Sequence, residues 1–253
     1  MKIILSGIGG FMGAELAKLA NAGYRDSSLT AGVDPNAKGT YTVPVAPSFE
    51  RLQEIPGAEE ADCIIDFSHH SATGDLTAYA IEHNKPLIIA TTGQTDDELQ
   101  MIHNASEKIP VFFAANYSLG VALLIELARK TAKMMPDAEI EIVEMHHDRK
   151  LDAPSGTALA IANAIKEVRP DAELKTGRSG NSKRTPKEIG IHAVRMGNIV
   201  GVHEVLVGTQ NQTITLKHEA HSRALFAEGA LAAAEFLIGK PAGLYNMKNL
   251  IEG

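Results

Sequence analysis

The sequence has little cysteine, no long apolar run and no excess of positive charge, and each absence excludes a class of function. Cys63 is the only cysteine among 253 residues, which excludes an intramolecular disulfide framework and a cysteine-based zinc cluster. The 24 Lys and Arg residues are outnumbered by 31 Asp and Glu residues, giving a formal charge of −7. A general nucleic-acid binder or a membrane-surface protein needs a cationic field instead. No stretch reaches the roughly 18 consecutive apolar residues of a membrane-spanning helix.

The start of the chain and its composition describe a globular protein. The apolar run Met1–Leu5 is followed at once by glycines, so we expect no signal peptide. Apolar residues make up 44% and charged residues 22% of the chain, values near globular averages. Because domains usually have about 100–200 residues, the chain fits one large domain or two modest ones. We therefore expect a soluble, cytoplasmic protein that binds neither nucleic acid nor membrane.

Short apolar runs alternate with helical segments over the first half of the chain. The runs are nearly continuous, as expected for parallel strands buried on both faces. Strands are predicted at residues 2–5, 29–33, 63–67, 87–90 and 111–114, and helices at 14–22, 72–84 and 96–108. This alternation indicates βαβ units, so we predict an α/β fold with a Rossmann-type parallel sheet.

The pattern changes after Asn116. Residues 139–144 alternate with a period of two, which is typical of a strand with one wet face. Further strands are predicted at 189–194, 200–207 and 212–218, and helices at 121–135, 155–168 and 224–238. Residues 169–187, rich in Gly, Ser, Lys and Arg, predict a mobile loop. The second part is therefore expected to be a smaller α+β domain with an open, partly antiparallel sheet.

A glycine-rich turn, Gly7–Gly13, lies between the first predicted strand and helix. Without side chains, Gly7, Gly9 and Gly10 would let backbone N–H groups approach a pyrophosphate, whose charge a helix N-terminus favours. The spacing departs from G-x-G-x-x-G because Met12 takes the place of the third glycine and Gly13 follows one residue later. The alternative is an ordinary tight turn between strand and helix.

Asp34 ends the second predicted strand, where an acidic residue usually accepts hydrogen bonds from the adenosine ribose. Its carboxylate would repel a 2′-phosphate, which favours NADH over NADPH. The alternative is a turn aspartate before Pro35.

A dense polar run, Glu144–Thr157, follows the alternating strand and opens a helix. Pro154 and Ser155 are typical helix-start residues, so Ser155, Gly156 and Thr157 would present unsatisfied N–H groups to an anion. Lys150 adds a positive charge, and His146 or His147 could exchange a proton near neutral pH. The run therefore predicts a site for an acidic small molecule that gains or loses a proton. The alternatives are an ordinary helix cap and histidines of the surface or core.

The adjacent histidines could also suggest a metal site. Neighbouring residues on a strand point to opposite faces, however, and no further ligand set accompanies His146 and His147. We therefore expect no metal.

Several motifs in order resemble the dihydrodipicolinate reductases (4-hydroxy-tetrahydrodipicolinate reductases) of lysine biosynthesis. Residues 144–158 are similar to the signature E-x-H-H-x-x-K-x-D-A-P-S-G-T-A, and residues 7–13 to G-x-G-G-x-M-G. Further similar segments are 66–68, 90–93, 114–120, 195–201 and 221–223. The resemblance spans almost the whole chain. One departure is Ala90, which replaces a glycine at the start of G-T-T-G and adds a methyl group near the cofactor.

The resemblance implies a dinucleotide-binding domain of residues 1–117 plus 224–253, and a substrate-binding and tetramerisation domain of residues 118–223. NADH or NADPH would be bound by Gly7, Ile8, Gly9, Gly10, Phe11, Met12, Asp34, Thr91, Thr92, Ala114, Ala115, Asn116 and Tyr117. The dicarboxylate substrate would be bound by His147, Ser155, Gly156 and Thr157, with His146 and Lys150 as the catalytic residues. The protein would form a homotetramer.

The implied reaction is hydride transfer from the nicotinamide to C4 of a cyclic imine, with protonation of the neighbouring carbon by His146 or Lys150. Two alternatives are a non-catalytic dinucleotide-binding sensor and a dehydrogenase of another small acidic substrate. A thiol-dependent dehydrogenase is disfavoured because Cys63 lies in an apolar run and is expected to pack as a small hydrophobe. The basic loop 169–187 is either a solvated surface or a lid that recruits a dianion. Arg223 is a lesser candidate for substrate contact.

Overall fold

The apolar runs of the first half form a seven-stranded sheet in which every neighbouring pair of strands is parallel. The computed structural model describes residues 1–253. The strands are β1 (Lys2–Ser6), β2 (Ser28–Val33), β3 (Val45–Ala46), β4 (Cys63–Asp66), β5 (Leu87–Ile89), β6 (Pro110–Phe113) and β12 (Gly243–Tyr245). Their order in the sheet is β12-β6-β5-β4-β1-β2-β3. Because β1 and β4 are neighbours at the centre, their carboxyl ends meet at one edge, where ligands bind in such sheets.

Helices connect the strands of this sheet, as parallel pairing requires. They are α1 (Phe11–Asn21), α2 (Phe49–Leu52), α3 (Thr73–Glu82), α4 (Asp96–Ser106) and α7 (Ala224–Leu237), and a last helix, α8 (Met247–Glu252), follows β12. Helix α4 begins with a capping box in which Thr95 and Glu98 each bond the other's backbone N–H. Buried side chains from β2, β4, β5 and β6 pack with those of α2, α3 and α4 in one apolar core.

The second sheet has five strands in the order β11-β10-β7-β9-β8. They are β7 (Glu139–His146), β8 (Glu173–Thr176), β9 (Glu188–Arg195), β10 (Gly201–Gly208) and β11 (Thr213–Ala220). Strand β10 pairs antiparallel with β7 and β11, whereas β9 pairs parallel with β7 and β8. Alternate residues of β7 are buried, because they face a core shared with α5 (Leu119–Met134) and α6 (Gly156–Val168).

The chain divides into two compact units. Unit 1 is Met1–Leu119 with Ala224–Gly253, and unit 2 is Gly120–Arg223. The predicted fold class, a Rossmann-type α/β domain with a second α+β part, is confirmed by the two sheets. No helix has the length and apolar character needed to cross a membrane.

Several short elements differ from the sequence prediction. The segment 169–187, predicted as a mobile loop, contains strand β8, and the chain after α7 contains strand β12, which pairs with β6 from Gly243 to Tyr245. Strand β3 and helix α2 lie between residues 34 and 62, where the sequence predicts neither a strand nor a helix. These elements have two to four residues, too few for a hydrophobic period to be visible. The three short strands are stabilised by pairing with β9, β6 and β2, and α2 by burial of Phe49 and Leu52 in the core.

Arg169, directly after α6, ties that helix to the end of α5. Its guanidinium donates to the carbonyl oxygens of Ala132, Met135 and Ala138, the last at 2.7 Å. Ala132 lies in the last turn of α5, where carbonyls lack intrahelical partners, and Met135 and Ala138 follow that turn. Arg169 is therefore a helix cap supplied from elsewhere in the chain.

We expect Arg169→Ala to lower the free energy of unfolding by about 2–3 kcal/mol, because hydrogen bonds to a charged donor are lost and carbonyls stay partly buried. Urea denaturation measures this change. Lys187→Ala is the matched control, since its exposed ammonium only approaches Asp171 at 3.9 Å and should matter by less than about 1 kcal/mol. Equal losses in the two variants would contradict the capping role.

Candidate active site

The glycine turn after β1 is shaped by close backbone approaches. Gly7 has φ +78° and a Cβ there would lie 2.6 Å from the backbone of Phe67. A Cβ on Gly13, inside α1, would lie 2.1 Å from the carbonyl oxygen of Gly7. Both positions therefore exclude any side chain. The glycines bring the start of α1 against the turn, and Gly10, the N-cap of α1, has no side chain to cover the helix N–H groups.

A cavity of about 410 Å³ opens beside this turn within unit 1. It is lined by Ser6, Gly7, Gly10, Val33, Asp34, Pro35, Asn36, Pro47, Ser48, Phe49, Phe67, Ser68, His69, Ala72 and Asp75. The lining includes carboxylates but no Lys or Arg. The start of α1, where the first N–H groups of a helix have no intrahelical partner, lies next to a partly apolar cavity with a carboxylate in its wall, and this arrangement fits a dinucleotide.

Asp34 lies at the end of β2 and is the acidic residue of this cavity wall expected from the sequence. Its Oδ2 accepts the N–H of Gly9 at 3.0 Å, and its Oδ1 accepts the N–H of Asn36 at 2.8 Å. A Cβ on Gly9 would lie 2.8 Å from Asp34 Oδ2. The glycine turn and the carboxylate are thus held together, which fixes the carboxylate in the wall.

A second cavity in unit 1, of about 170 Å³, is lined by Met12, Phe67, Ala90, Ala115, Asn116, Tyr117 and Phe226. Thr91 lies beside this region, but its hydroxyl donates to Asp66 Oδ2 at 3.1 Å. Asp66, 1% exposed, also accepts the N–H and hydroxyl of Ser68. Burial raises the pKa of Asp66, and the hydrogen bonds from Ser68 oppose this rise. Asp66 therefore links the loops that follow β4 and β5.

The cofactor residues expected from the sequence are only partly brought together. Those in the two cavity walls are Gly7, Gly10, Met12, Asp34, Ala115, Asn116 and Tyr117. Ile8 is buried at 2% exposure and Phe11 is 63% exposed, and neither lines a wall. Gly9, Thr91, Thr92 and Ala114 also lie outside both walls. The Tyr117 hydroxyl donates to the Ile89 carbonyl at 2.8 Å, so this hydroxyl makes a buried hydrogen bond within the protein.

In unit 2 a polar cluster continues the buried face of the sheet. Along β7, Ile140 and Ile142 belong to the apolar core, and Glu144 and His146 follow on the same face. The register places Arg195 of β9 opposite His146, and His203 of β10 opposite Glu144. Sequence reasoning did not select Glu144, Arg195 or His203. Glu144 could have been found from the sequence, because it lies at a position where the alternation of β7 predicts a buried side chain.

Glu144 is fully buried and makes four polar contacts. Its Oε2 lies 2.5 Å from His146 Nδ1, and its Oε1 accepts the N–H of Ser155 at 3.0 Å. Arg195 donates to both oxygens, at 2.9 and 2.7 Å. Burial acts to raise the pKa of Glu144, but the hydrogen bonds from Arg195, His146 and Ser155 lower it overall. The carboxylate therefore stays ionised.

Ser155 is the N-cap of α6, as predicted, but its N–H is not free. The N–H binds Glu144, while the hydroxyl accepts from the Ala158 N–H at 3.2 Å and lies 3.1 Å from His203 Nε2. The expectation that the Ser155 N–H awaits an anion is therefore wrong, because a distant strand supplies its partner. Gly156 is exposed, with open space where its Cβ would be.

Lys150 is linked to this helix start through Asp152, and His147 lies three residues before Lys150. Lys150 Nζ lies 2.7 Å from Asp152 Oδ1, and the hydrogen bond from Lys150 lowers the pKa of Asp152, with a smaller contribution from the Gly156 N–H. His147 Nδ1 is buried and has no hydrogen-bond partner. A buried ring nitrogen without a partner fits a group that binds a ligand.

The basic loop and Cys63 have structural surroundings. Arg184 donates to Glu141 and to the Ile140 and Glu188 carbonyls, and Arg178 pairs with Glu188. The guanidinium groups of these two arginines are therefore engaged within the sheet and do not act as a lid that recruits a dianion. Burial raises the pKa of the Cys63 thiol to about 12, so Cys63 packs as a small hydrophobe, as expected. No three His, Cys, Asp or Glu side chains converge in the way a metal ion requires.

Family models match both halves of the chain. The model of the dihydrodipicolinate reductase N-terminus matches residues 1–117, and that of the C-terminus matches residues 120–251. The chain belongs to the dihydrodipicolinate reductase family. The family inferred from the motifs is thereby confirmed, and with it the class of NAD(P)H-dependent oxidoreductases of lysine and diaminopimelate biosynthesis.

Relatives of the family cover the whole chain. The 4-hydroxy-tetrahydrodipicolinate reductase of Caldanaerobacter subterraneus subsp. tengcongensis is 46% identical over 100% of this chain and 98% of its own. That of Clostridium tetani is 41% identical over 98% of this chain and 95% of its own. A solved structure, a dipicolinate-bound dihydrodipicolinate reductase from Paenisporosarcina sp. TG-14, has a TM-score of 0.81 and 29% identity and covers 98% of both chains.

Proposed function

We propose that this protein reduces dihydrodipicolinate, formed from 4-hydroxy-tetrahydrodipicolinate, to tetrahydrodipicolinate with NADH or NADPH. In this proposal residues 1–117 and 224–253 bind the dinucleotide, and residues 118–223 bind the substrate. The observation that carries the proposal is the carboxylate of Asp152, which lies 2.7 Å from Lys150 Nζ and whose pKa is lowered by Lys150 and the Gly156 N–H. These two groups, next to the imidazole pair, already bind a carboxylate and would bind one from a dicarboxylic substrate.

The residues of unit 2 have separate roles in the proposed reaction. A substrate carboxylate replaces Asp152 on Lys150 and on the start of α6, where Gly156 and Thr157 follow the N-cap. His147 binds the substrate through its unpartnered ring nitrogen. When bound, the reduced nicotinamide supplies a hydride to C4 of the ring. His146 or Lys150 donates the proton to the neighbouring carbon, so one hydride and one proton enter the substrate.

The dinucleotide is proposed to lie along the glycine turn. Gly7, Gly10 and the start of α1 would bind its pyrophosphate, and Asp34 the adenosine ribose. The wall around Met12 and Ala115–Tyr117 would contact the nicotinamide.

Purified protein tests the proposal directly. Substrate is generated in place from pyruvate and aspartate semialdehyde by the preceding synthase, and the loss of NADH or NADPH absorbance is followed. We expect turnover that depends on all components and is inhibited by pyridine-2,6-dicarboxylate, a planar dicarboxylate. Binding of NADH without turnover would refute the reductase and support a sensor.

Asp34 is expected to set the cofactor preference. Two negative charges about 4 Å apart near a protein surface repel by roughly 1–4 kcal/mol, so the carboxylate disfavours a 2′-phosphate by about fivefold or more. Asp34→Ser should lower the ratio of kcat/KM for NADH to that for NADPH by at least about fivefold. Asp75→Asn, which removes another carboxylate from the same cavity wall, should change the ratio less. A larger change in the Asp75 variant would contradict this assignment.

We also propose a homotetramer formed through residues 118–223. Helix α5 exposes Leu123, Leu127 and Met134, and a loop of unit 2 exposes Met196, all of which another copy could cover. Light scattering of the purified protein should give four times the chain mass of 27.0 kDa. The cytoplasmic location stays a prediction.

A further inference from the structure

Glu144 occupies an unusual position for a carboxylate, since its side chain has no exposed surface. A buried carboxylate is costly unless it is paired and hydrogen-bonded. Arg195 pairs with it through both oxygens, and the Ser155 N–H occupies a further acceptor site. The remaining contact is the imidazole of His146 at 2.5 Å. The carboxylate is therefore held rigidly from β9 and α6 while it faces one histidine.

The contact decides which nitrogen of His146 carries a proton. An ionised carboxylate only accepts hydrogen bonds, so Nδ1 of His146 must be the donor. In the neutral ring Nε2 is then left without a proton, and this nitrogen takes up and gives away the second proton. Gly201 lies on the Nε2 side, since a Cβ at that residue would be 3.1 Å from Nε2. Because glycine has no side chain, Gly201 does not crowd Nε2 of His146, the nitrogen that exchanges the proton.

Charged and titratable groups from every neighbouring element face His146. They are Glu144 of β7, Arg195 of β9, His203 of β10 and Lys150 of the loop before α6. Burial lowers the pKa of His203 to about 4, so this ring stays neutral. Burial also lowers the pKa of His146, whereas Glu144 raises it and Lys150 and Arg195 lower it. Glu144 is thus the only one of these groups that favours the imidazolium.

We propose that Glu144, held by Arg195, is a positioning residue that fixes the Nδ1–H form of His146 and so makes Nε2 the nitrogen that exchanges the proton. The proposal rests on the proposed reductase function, in which His146 is a proton donor. Glu144 acts through His146 and does not itself touch substrate. By bonding Ser155 as well, it couples the orientation of the proton donor to the start of α6.

Glu144→Gln tests the proposal because it keeps the size of the side chain and removes its charge. The protonated fraction of His146 falls as pH rises through its pKa, and turnover that uses this proton falls with it. Without the carboxylate the pKa of His146 drops further, so the alkaline limb of the kcat profile should move to lower pH. We expect kcat at pH 7.5 to fall by about 10- to 100-fold, within the range of general acid catalysis.

Glu141→Gln is a matched control on the other face of the same strand. Glu141 also pairs with a histidine, His192 at 2.8 Å, and with an arginine, Arg184 at 3.1 Å. A merely structural carboxylate of this kind should leave the pH profile of kcat unchanged. If Glu144→Gln retains the wild-type profile, or if both variants shift alike, the positioning role is refuted.

If Glu144→Gln fails to fold, the protonated nitrogen of His146 can still be identified in the wild-type protein. Nitrogen-15 NMR of the ring nitrogens should show neutral His146 protonated at Nδ1. Protonation at Nε2 would overturn the proposal.

Gly201→Ala, which leaves Glu144 in place, should lower kcat by crowding Nε2, and an unchanged kcat would overturn the assignment of this nitrogen. If the wild-type protein lacks reductase turnover, the proposed function fails, whereas a wrong His146 form in an active wild type refutes only this inference.

Discussion

Lys150→Ala should lower kcat/KM for the imine substrate by about 10²–10⁴-fold while leaving the melting temperature nearly unchanged. The ammonium binds the carboxylate of Asp152, which also accepts the Gly156 N–H at the start of α6. Removing a preorganised charge that stabilises negative charge in the transition state costs about 10²–10³ in rate, and loss of general acid help costs up to about 10⁴. The fold loses only one partly exposed ion pair, which contributes about 1 kcal/mol or less. NADH oxidation and a thermal melt of the same samples measure both effects.

Arg149→Ala is the control for this prediction. Arg149 carries a positive charge in the same segment, but it is exposed and contacts Asp148 and Asn198. We expect its removal to change kcat/KM by less than about threefold. His146→Ala should resemble Lys150→Ala in losing turnover far more than stability. Turnover within threefold of wild type in both the Lys150 and His146 variants would refute the assignment of the catalytic pair.

Gly13→Ala should abolish measurable NADH binding and destabilise unit 1. A Cβ on Gly13 would lie 2.1 Å from the Gly7 carbonyl oxygen and 2.9 Å from Ile8 Cα, and both obstacles are backbone atoms. The helix must therefore move away from the turn whose N–H groups would bind the pyrophosphate. Overpacking of this kind costs about 1–3 kcal/mol in stability. Fluorescence titration with NADH and urea denaturation measure the two losses.

Gly74→Ala separates this steric effect from the general cost of an added methyl group. Gly74 lies at the start of α3 in the same unit, and its Cβ would meet only Met101 Sδ at 3.7 Å, an ordinary contact. Alanine favours a helix over glycine by about 0.5–1 kcal/mol, so this variant should be as stable as wild type or more so. NADH affinity that survives in Gly13→Ala would show that the turn does not bind the dinucleotide.

The glycine turn of unit 1 and the polar cluster of unit 2 differ in how far apart in the chain their contacting residues are. In unit 1 the glycines act through backbone atoms close in the chain, since a Cβ on Gly13 would meet the carbonyl oxygen of Gly7. In unit 2 the chemistry depends on residues from separate strands, since Glu144 and Arg195 are 51 positions apart. Their meeting follows from the register of β7 and β9, which pairs His146 with Arg195.

Local sequence alone determined the fold class, the glycine turn before α1, the N-cap at Ser155 and the family. The first three rest on short-range rules: alternating apolar runs, a backbone without side chains, and a hydroxyl before a helix. The family rests on the resemblance of motifs spread along the chain. Only the tertiary structure decided that the Ser155 N–H donates to Glu144 and that the Thr91 hydroxyl donates to Asp66. It also decided that a short segment near the end of the chain forms strand β12 beside β6. A hydrogen-bonding group takes whichever partner strand register brings within about 3 Å, and no local period encodes that register.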